Sequence, residues 1–473
     1  MYWLTRICFQ RGLAIIYLVA FLIAFNQFRA LCGRTGILPI SLFLQRMRFW
    51  DAPSLFWLNQ SDAFILTLAT VGVFLSLLAL SGYSEAFGTW VSVLIWFSLW
   101  LLYSSFVNVG QTFYSFGWEI LLLEAGFLAI FLGSSSSKPS IVMIILIRWV
   151  CFRIMFGAGL IKIRGDDCWR DLTCMQYHYE TMPLPGPLSR FFHFLPTWVG
   201  KLSVLFNHFV ELLVPFFYFA PRPFRHTAGL LTIVFQLLII ASGNFSWLNF
   251  ITIVLALSCF DDSLFQALGL GIDSAVVTVT GIPSSVVYAL AALVVYLSLN
   301  PVRNMISQGQ IMNTSFDPLH LVNTYGAFGS ITRLRNEVIL EGADDSQGPW
   351  KEYEFKGKPG DVTRRPPWVS PYHFKIDWQM WFAAMSSYQD HPWIVNLMAK
   401  LLQGDEQVTG LLRSTPFPDH PPKFIRASLY EYHYAPPTEK DWWTRKYVGE
   451  YLPPLNLQDP AFQQVLRSQG WLE

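Results

Sequence analysis

Charge is what this chain has least of. Only 14% of its 473 residues are Asp, Glu, Lys or Arg, against 53% hydrophobic and 16% aromatic, where soluble globular proteins carry roughly 25% charged residues. That shortage excludes a soluble globular protein and leaves a polytopic membrane protein. The net charge is +1, so nothing points to nucleic acid or to a strongly acidic partner. Cysteine is scarce as well: six are too few for a disulfide scaffold, and Cys8, Cys151 and Cys259 fall in or beside apolar runs, as small buried hydrophobes do. A cleavage site is also missing. The opening MYWLTRICFQRGLAIIYLVAFLIAF has the basic flank and apolar run of a signal peptide, but no A-x-A-type site follows, so it reads as a retained first span.

What is present is a series of apolar runs. A hydrocarbon core of ~30 Å needs roughly 17–25 helical residues, and about nine segments approach that: 12–25, 63–80, 90–107, 118–132, 141–161, 203–219, 227–241, 246–260 and 284–299. Several are short. Only SGNFS separates 227–241 from 246–260, which predicts a tight helical hairpin or one broken, re-entrant element. Between the first two spans, Leu42, Leu44, Met47 and Phe49 alternate with Gln45, Arg46 and Arg48, the pattern of an amphipathic interfacial helix. Trp50, Phe56 and Trp57 suit the headgroup level.

Charges inside apolar runs cost roughly 2.5–3.5 kcal/mol each at the bilayer centre and seek partners or water. Glu119, Glu124 and Glu211 can be set against Arg148, Arg153 and Lys162 as a network that fixes helix registry or lines a polar cavity. His208 and Glu211 lie three apart on one helical face, where a carboxylate can orient an imidazole for acid–base work, and a packing pair explains them equally well. For an enzyme, the candidates are that pair or Glu124 with Arg153. The polar loop 162–202 contains Arg164, Asp166, Asp167, Trp169, Arg170, Asp171, His178 and Glu180 around Cys168 and Cys174. Those two cysteines can close a small disulfide ring in an oxidising compartment. Their spacing is not C-x-x-C, which weakens a thiol-exchange role, and His178 alone does not complete a zinc set. No metal and no cofactor is expected.

After Pro301 the composition becomes charged and rich in Pro and Trp, and no later segment could span a bilayer. The expected division is a transmembrane bundle over 1–300 and an extramembrane domain over 301–473. RLRNEVILEGADD, WKEYEFKG and KFIRASLYEYHYAP read as strands. DWQMWFAAMSSY, HPWIVNLMAKLLQG, DEQVTGLLRS and DPAFQQVLRSQG read as helices, with Asp405 and Asp459 at cap positions. The predicted fold class is an all-α polytopic membrane helix bundle followed by an α+β domain containing an antiparallel sheet. That domain has no Gly-rich phosphate loop, serine nucleophile elbow or metal-spaced His/Cys set. Trp350, Trp368, Trp378, Trp381, Trp442 and Trp443 could hold a partly folded protein through apolar contacts. With Arg6 and Arg11 cytoplasmic and an odd span count, the cysteine loop and the tail fall on the non-cytosolic side. A plain positive-inside count over Arg29, Arg34, Arg46, Arg48, Lys162, Arg164, Arg170, Arg190 and Lys201 argues the other way. Asn59, Asn244 and Asn313 begin glycosylation sequons, and Asn313 is far enough from a span to be glycosylated if the host is eukaryotic and the tail is lumenal.

The stretches FVNVGQTFYSFGWEILLLEAGFLAIFLG, RWVCFRIMFGAGLIKIRGDDCWRDLTCMQYHYETMPLPGPLS, NHFVELLVPFF, SGNFSWLNF with the later CFDD, and LVNTYGAFGSITRLRNEVILEGADD resemble the lipase maturation factor family over nearly the whole chain. The resemblance implies a multi-pass endoplasmic reticulum membrane protein with a lumenal C-terminal domain. Such a protein helps secreted dimeric lipases, such as lipoprotein lipase, to fold and assemble. It implies lipase clients and the lipid bilayer as partners and leaves the oligomeric state open. A bacterial host would place the chain in the inner membrane with a periplasmic tail. Animal members carry a longer cytoplasmic segment before the first span. The family is distantly similar to the membrane portion of vitamin K-dependent carboxylases, which keeps open a membrane enzyme acting on a lipid, quinone or protein.

Overall fold

The computed structural model describes residues 1–135, 137–270 and 281–472. Helix α1 (Trp3–Cys32) runs the height of the bundle and is followed by the short α2 (Ile40–Leu44). Next come α3 (Asp62–Ser81), α4 (Tyr83–Ala86), α5 (Thr89–Val109), α6 (Gly117–Ala129) and α7 (Ile141–Arg164). The connector holds α8 (Asp167–Arg170), α9 (Met175–Thr181) and α10 (Ser189–His193). The bundle resumes with α11 (Thr197–His208), which continues through a π turn (Phe209–Leu213) and a 3-10 turn (Val214–Phe219). It ends with α12 (Arg222–Ser242), α13 (Leu248–Ala256), α14 (Asp262–Ala267), α15 (Ser284–Leu297) and α16 (Leu299–Ile306).

Seven helical stretches among the described residues are long and apolar enough to cross a membrane: Trp3–Cys32, Asp62–Ser81, Thr89–Val109, Ile141–Arg164, Thr197–Phe219, Arg222–Ser242 and Ser284–Ile306. Two of the nine expected segments are shorter helices. Helix α6 and the stretch Leu248–Cys259 are ~20 Å long at 1.5 Å per residue, yet both pass between the two faces. Their starts meet at one end, where Trp247 Nε1 donates to Trp118 O (3.1 Å). Their far ends lie near the chain start, where Gln10 donates to Gly133 O (3.3 Å) and Thr5 to Phe260 O (2.8 Å). Every residue of α6 except Phe127 is buried. Helices sheathed by protein need not match the bilayer's thickness, because their ends find protein partners instead of lipid. The piece after SGNFS is therefore a short buried helix that turns back beside α12.

Met1 and the tail thus stand at opposite faces. The N-terminal face gathers Arg6, Glu85, Ser137, Arg225 and Asp261; Arg6 donates to Ser137 O (2.7 Å), and Arg225 to Asp261 (2.9 Å). The expected interfacial helix over 42–49 is only the five-residue α2, because a turn follows Leu44.

The tail is an antiparallel sheet, β1 (Arg335–Ala343), β2 (Lys351–Glu352), β3 (Phe424–Tyr434) and β4 (Trp443–Leu455), in the order β2-β1-β3-β4. It is covered by α17 (Lys375–Ala383), α18 (Trp393–Leu402), α19 (Glu406–Thr409) and α20 (Pro460–Ser468). Asp405 and Asp459 cap α19 and α20, accepting from backbone N–H groups one turn on. Strand β4 escapes the sequence reading. It is an exposed edge strand carrying Lys446, Pro453 and Pro454, features that keep an edge from pairing further and also disguise it as loop. One contiguous hydrophobic core runs from the bundle into the tail.

Candidate functional site

The connector begins where α7 leaves the bundle. Side chains at Gly157 and Gly159 would collide with the Tyr325 carbonyl (2.5 Å) and Glu211 Cβ (2.9 Å), so these glycines let the tail and α11 close on α7. Asp166 then caps α8, accepting from Cys168 N (3.0 Å). Cys168 and Cys174 form a disulfide with Cα atoms 4.7 Å apart, and they are 2% and 0% exposed. A bridge so covered is out of reach of a client's thiol, which leaves it a structural clasp.

Tail residues hold the connector down. Arg333 pairs with both oxygens of Asp166 (2.7 and 3.1 Å), and Trp169 Nε1 donates to Phe328 O (2.8 Å). The Arg333 guanidinium holds the Asp166 carboxyl below the usual carboxylate range. Deeper in, buried Arg335 of β1 donates to the carbonyls of Glu180 (2.8 Å), Met182 (2.6 Å) and Pro183 (3.1 Å). Glu180 accepts from Tyr434 N (2.8 Å) and faces His433 (3.2 Å). Arg164 donates to Met305 O (2.8 Å), and Arg170 pairs with Asp167 and donates to Ile163 O (2.9 Å). Asp171 is exposed. The connector is a platform moulded onto the sheet.

The buried charges also meet the tail, and the pairing of Glu119 is one the sequence reading missed. Glu119 pairs with Lys375 and accepts from Tyr103, so its cation is not Arg148. Arg148 instead donates to Ser258 O (2.9 Å) and Tyr2 OH (2.8 Å). Glu124 and Arg153 do pair, and Tyr325 OH (2.6 Å) and Asn323 N (3.1 Å) donate to Glu124 while Arg153 donates to Asn323 O (2.7 Å). Glu124 is thus committed to protein donors, whereas Arg153 Nε is buried without a partner among the described residues. Lys162 donates to Glu211 (2.6 Å) and Asn207 (2.9 Å). The expected His208–Glu211 dyad is not formed: the π turn carries Glu211 toward Lys162, and His208 Nε2 donates to Trp169 O (3.0 Å). Nor do the six tryptophans make an open client surface. Trp378 and Trp443 are buried, Trp350, Trp381 and Trp442 are partly covered, and only Trp368 is exposed. Asn313 is exposed, whereas Asn244 is buried with its amide donating to Pro185 O (3.0 Å) and Pro367 O (2.9 Å), which rules it out as a glycan acceptor.

Between the connector, the bundle and α17 lies a cavity of about 640 Å³ lined by Lys162, His178, Phe206, Leu238, Phe328 and Trp378 among others. Burial, helped by the Lys162 charge, pushes the His178 imidazole down to about 3, so it is neutral at physiological pH. Among the described residues no three His, Cys, Asp or Glu side chains gather as a metal site.

Seven membrane-length helices, a clasped connector and a sheet domain joined to the bundle through the buried Glu119–Lys375 pair define a multi-pass membrane protein whose C-terminal domain packs into the body. The model for the lipase maturation factor transmembrane domain matches residues 4–267, and that for the lipase maturation factor C-terminal domain matches 321–453. Lipase maturation factor 1 of Mus musculus is 43% identical, with 99% of this chain and 90% of the relative aligned; that of Bos taurus is 44% identical over 97% and 90%. Lipase maturation factor 2 of Homo sapiens is 31% identical over 99% and 85%. The chain belongs to the lipase maturation factor family. No solved structure matches it.

Proposed function

We propose that this protein assists the folding and assembly of secreted dimeric lipases from the endoplasmic reticulum membrane, with the connector and tail in the lumen. The observation that carries the reading is the connector itself, a disulfide-clasped platform fused to the sheet on the face opposite Met1. A disulfide belongs to an oxidising compartment. Several of the basic residues that argue for the opposite orientation are occupied: Arg164 and Arg190 donate to backbone carbonyls, and Lys162 is neutralised by Glu211, while Arg34, Arg46, Arg48 and Lys201 stay exposed. Cations spent inside the fold offer little surface charge to the orientation rule. The relatives' names supply the lipase client, and the family match supports it.

Cells lacking their own lipase maturation factors, given this chain together with lipoprotein lipase, should secrete active dimeric lipase. Secretion of only inactive lipase, with this protein folded and in the same membrane, would overturn the reading.

A further inference from the structure

The cavity under the connector has a composition that neither the charge pairs nor the clasp explains. Its floor is the tail-side half of the bundle: Ile154, Met155 and Ala158 of α7, Phe206 of α11, Phe235 of α12 and Leu248 of α13. Its roof is extramembrane, made by the connector, the 326–332 strap and α17. At about 640 Å³ it falls within the range of sites for small molecules, roughly 300–1,000 Å³. Leu238 and Met385 line it and are 49% and 42% exposed. Leu238 lies on the membrane-length α12, so the edge of the cavity there borders that helix.

The polar groups on the wall narrow the occupant. Lys162 and Glu211 cancel each other at 2.6 Å, Asn207 is bonded to both, and Asn249 donates to Gln236 (2.7 Å). His178 is not matched in this way, nor are the hydroxyls of Ser330 and Thr332 toward the rim. His178 is 8% exposed and stacks on Phe245, and its ring nitrogens have no hydrogen-bond partner among the described residues. A neutral imidazole offers one donor and one acceptor. A phosphate head would need a free cation that the wall does not supply. A peptide would bring a backbone donor and acceptor with every residue, and unpaired backbone groups are costly to bury.

We propose that this cavity binds an uncharged membrane lipid of the diacylglycerol class, which enters past Leu238, lays a chain among the apolar residues of the floor and bonds its hydroxyl or ester oxygen to His178. The site goes beyond client maturation and does not depend on it. The lipid is a bound ligand, and no bond is made or broken.

The test uses the full-length protein in nanodiscs with a diazirine-bearing diacylglycerol. Saturable labelling of peptides from 175–183 and 235–252 is expected, displaced by unlabelled diacylglycerol and at least tenfold less well by phosphatidylglycerol. Leu238→Trp, at a half-exposed position that tolerates bulk, should cut labelling severalfold by closing the entrance. His178→Phe keeps the ring stack and removes the hydrogen bond, and it should weaken displacement by about three- to tenfold. Both variants are to be read only as monodisperse, normally melting protein. Unsaturable labelling, equal displacement by the anionic lipid, displacement by an apolar peptide but not by diacylglycerol, or labelling indifferent to both substitutions would each overturn the proposal.

Discussion

Lys375 enters the bundle from the tail and meets Glu119, with both side chains fully buried. A buried ion pair contributes little against a hydrophobic replacement, but breaking one side of it leaves an uncompensated charge, at a cost of about 3–5 kcal/mol. Lys375→Met should therefore lower the melting temperature of the detergent-solubilised protein sharply, and adding Glu119→Gln should restore most of it. Failure of the second change to rescue would mean that lost packing dominates. His208 presents the opposite case. Its contacts are a hydrogen bond to Trp169 O and an edge-on approach to the indole, so it props the connector. His208→Asn is expected to lower lipase secretion less than twofold, whereas an acid–base role would abolish it. The charges themselves were plain in the sequence, and the tail-borne partner of Glu119 was not. Glu119 and Lys375 are 256 residues apart, and no periodicity links residues that meet only through tertiary packing.

Among the elements, the connector bears the clearest test. Closing a loop of this length stabilises by about 2 kcal/mol in the chain-entropy account. The Cys168→Ser, Cys174→Ser double variant should melt lower and still mature lipase, because Arg333 and Arg335 hold the segment independently; complete loss of function in a folded double variant would revive thiol exchange. The Asp166–Arg333 pair adds a pH dependence. Its folded carboxyl titrates below the ordinary value of 3.8. Its stabilisation is thus complete above that value and disappears as pH falls through the lower folded one. Hydrogen exchange at residues 166–171 should speed up across that acid window in the native protein, but not in Asp166→Asn. The strand β3 was readable because its side chains alternate and β1 because a Gly/Asp-rich turn bounds it, and the α19 and α20 caps because Asp stands just ahead of the backbone N–H groups that donate to it. The edge strand β4 was hidden because its charges and prolines answer to solvent, not to a core.

For the molecule as a whole, the tail is bound to the bundle by the buried Glu119–Lys375 pair and a shared core, so the division at residue 300 expected from composition describes sequence more than mechanics. Asn59 and Asn313 are exposed and lie on the tail face. In microsomes, glycosidase-sensitive mass at Asn313 that is lost in Asn313→Gln would place that face in the lumen; cysteine labelling from the cytosol at the same position would place it on the other side and remove the route to secreted clients. Hydropathy alone was enough to read the polytopic class and the membrane-length helices, since burial in lipid is a property of composition over a span. Only the tertiary structure decided which charges pair, that His208 and Glu211 part company, and that a cavity opens beneath the connector. Those outcomes depend on side chains that are distant in the chain and meet only when helices and sheet close on one another.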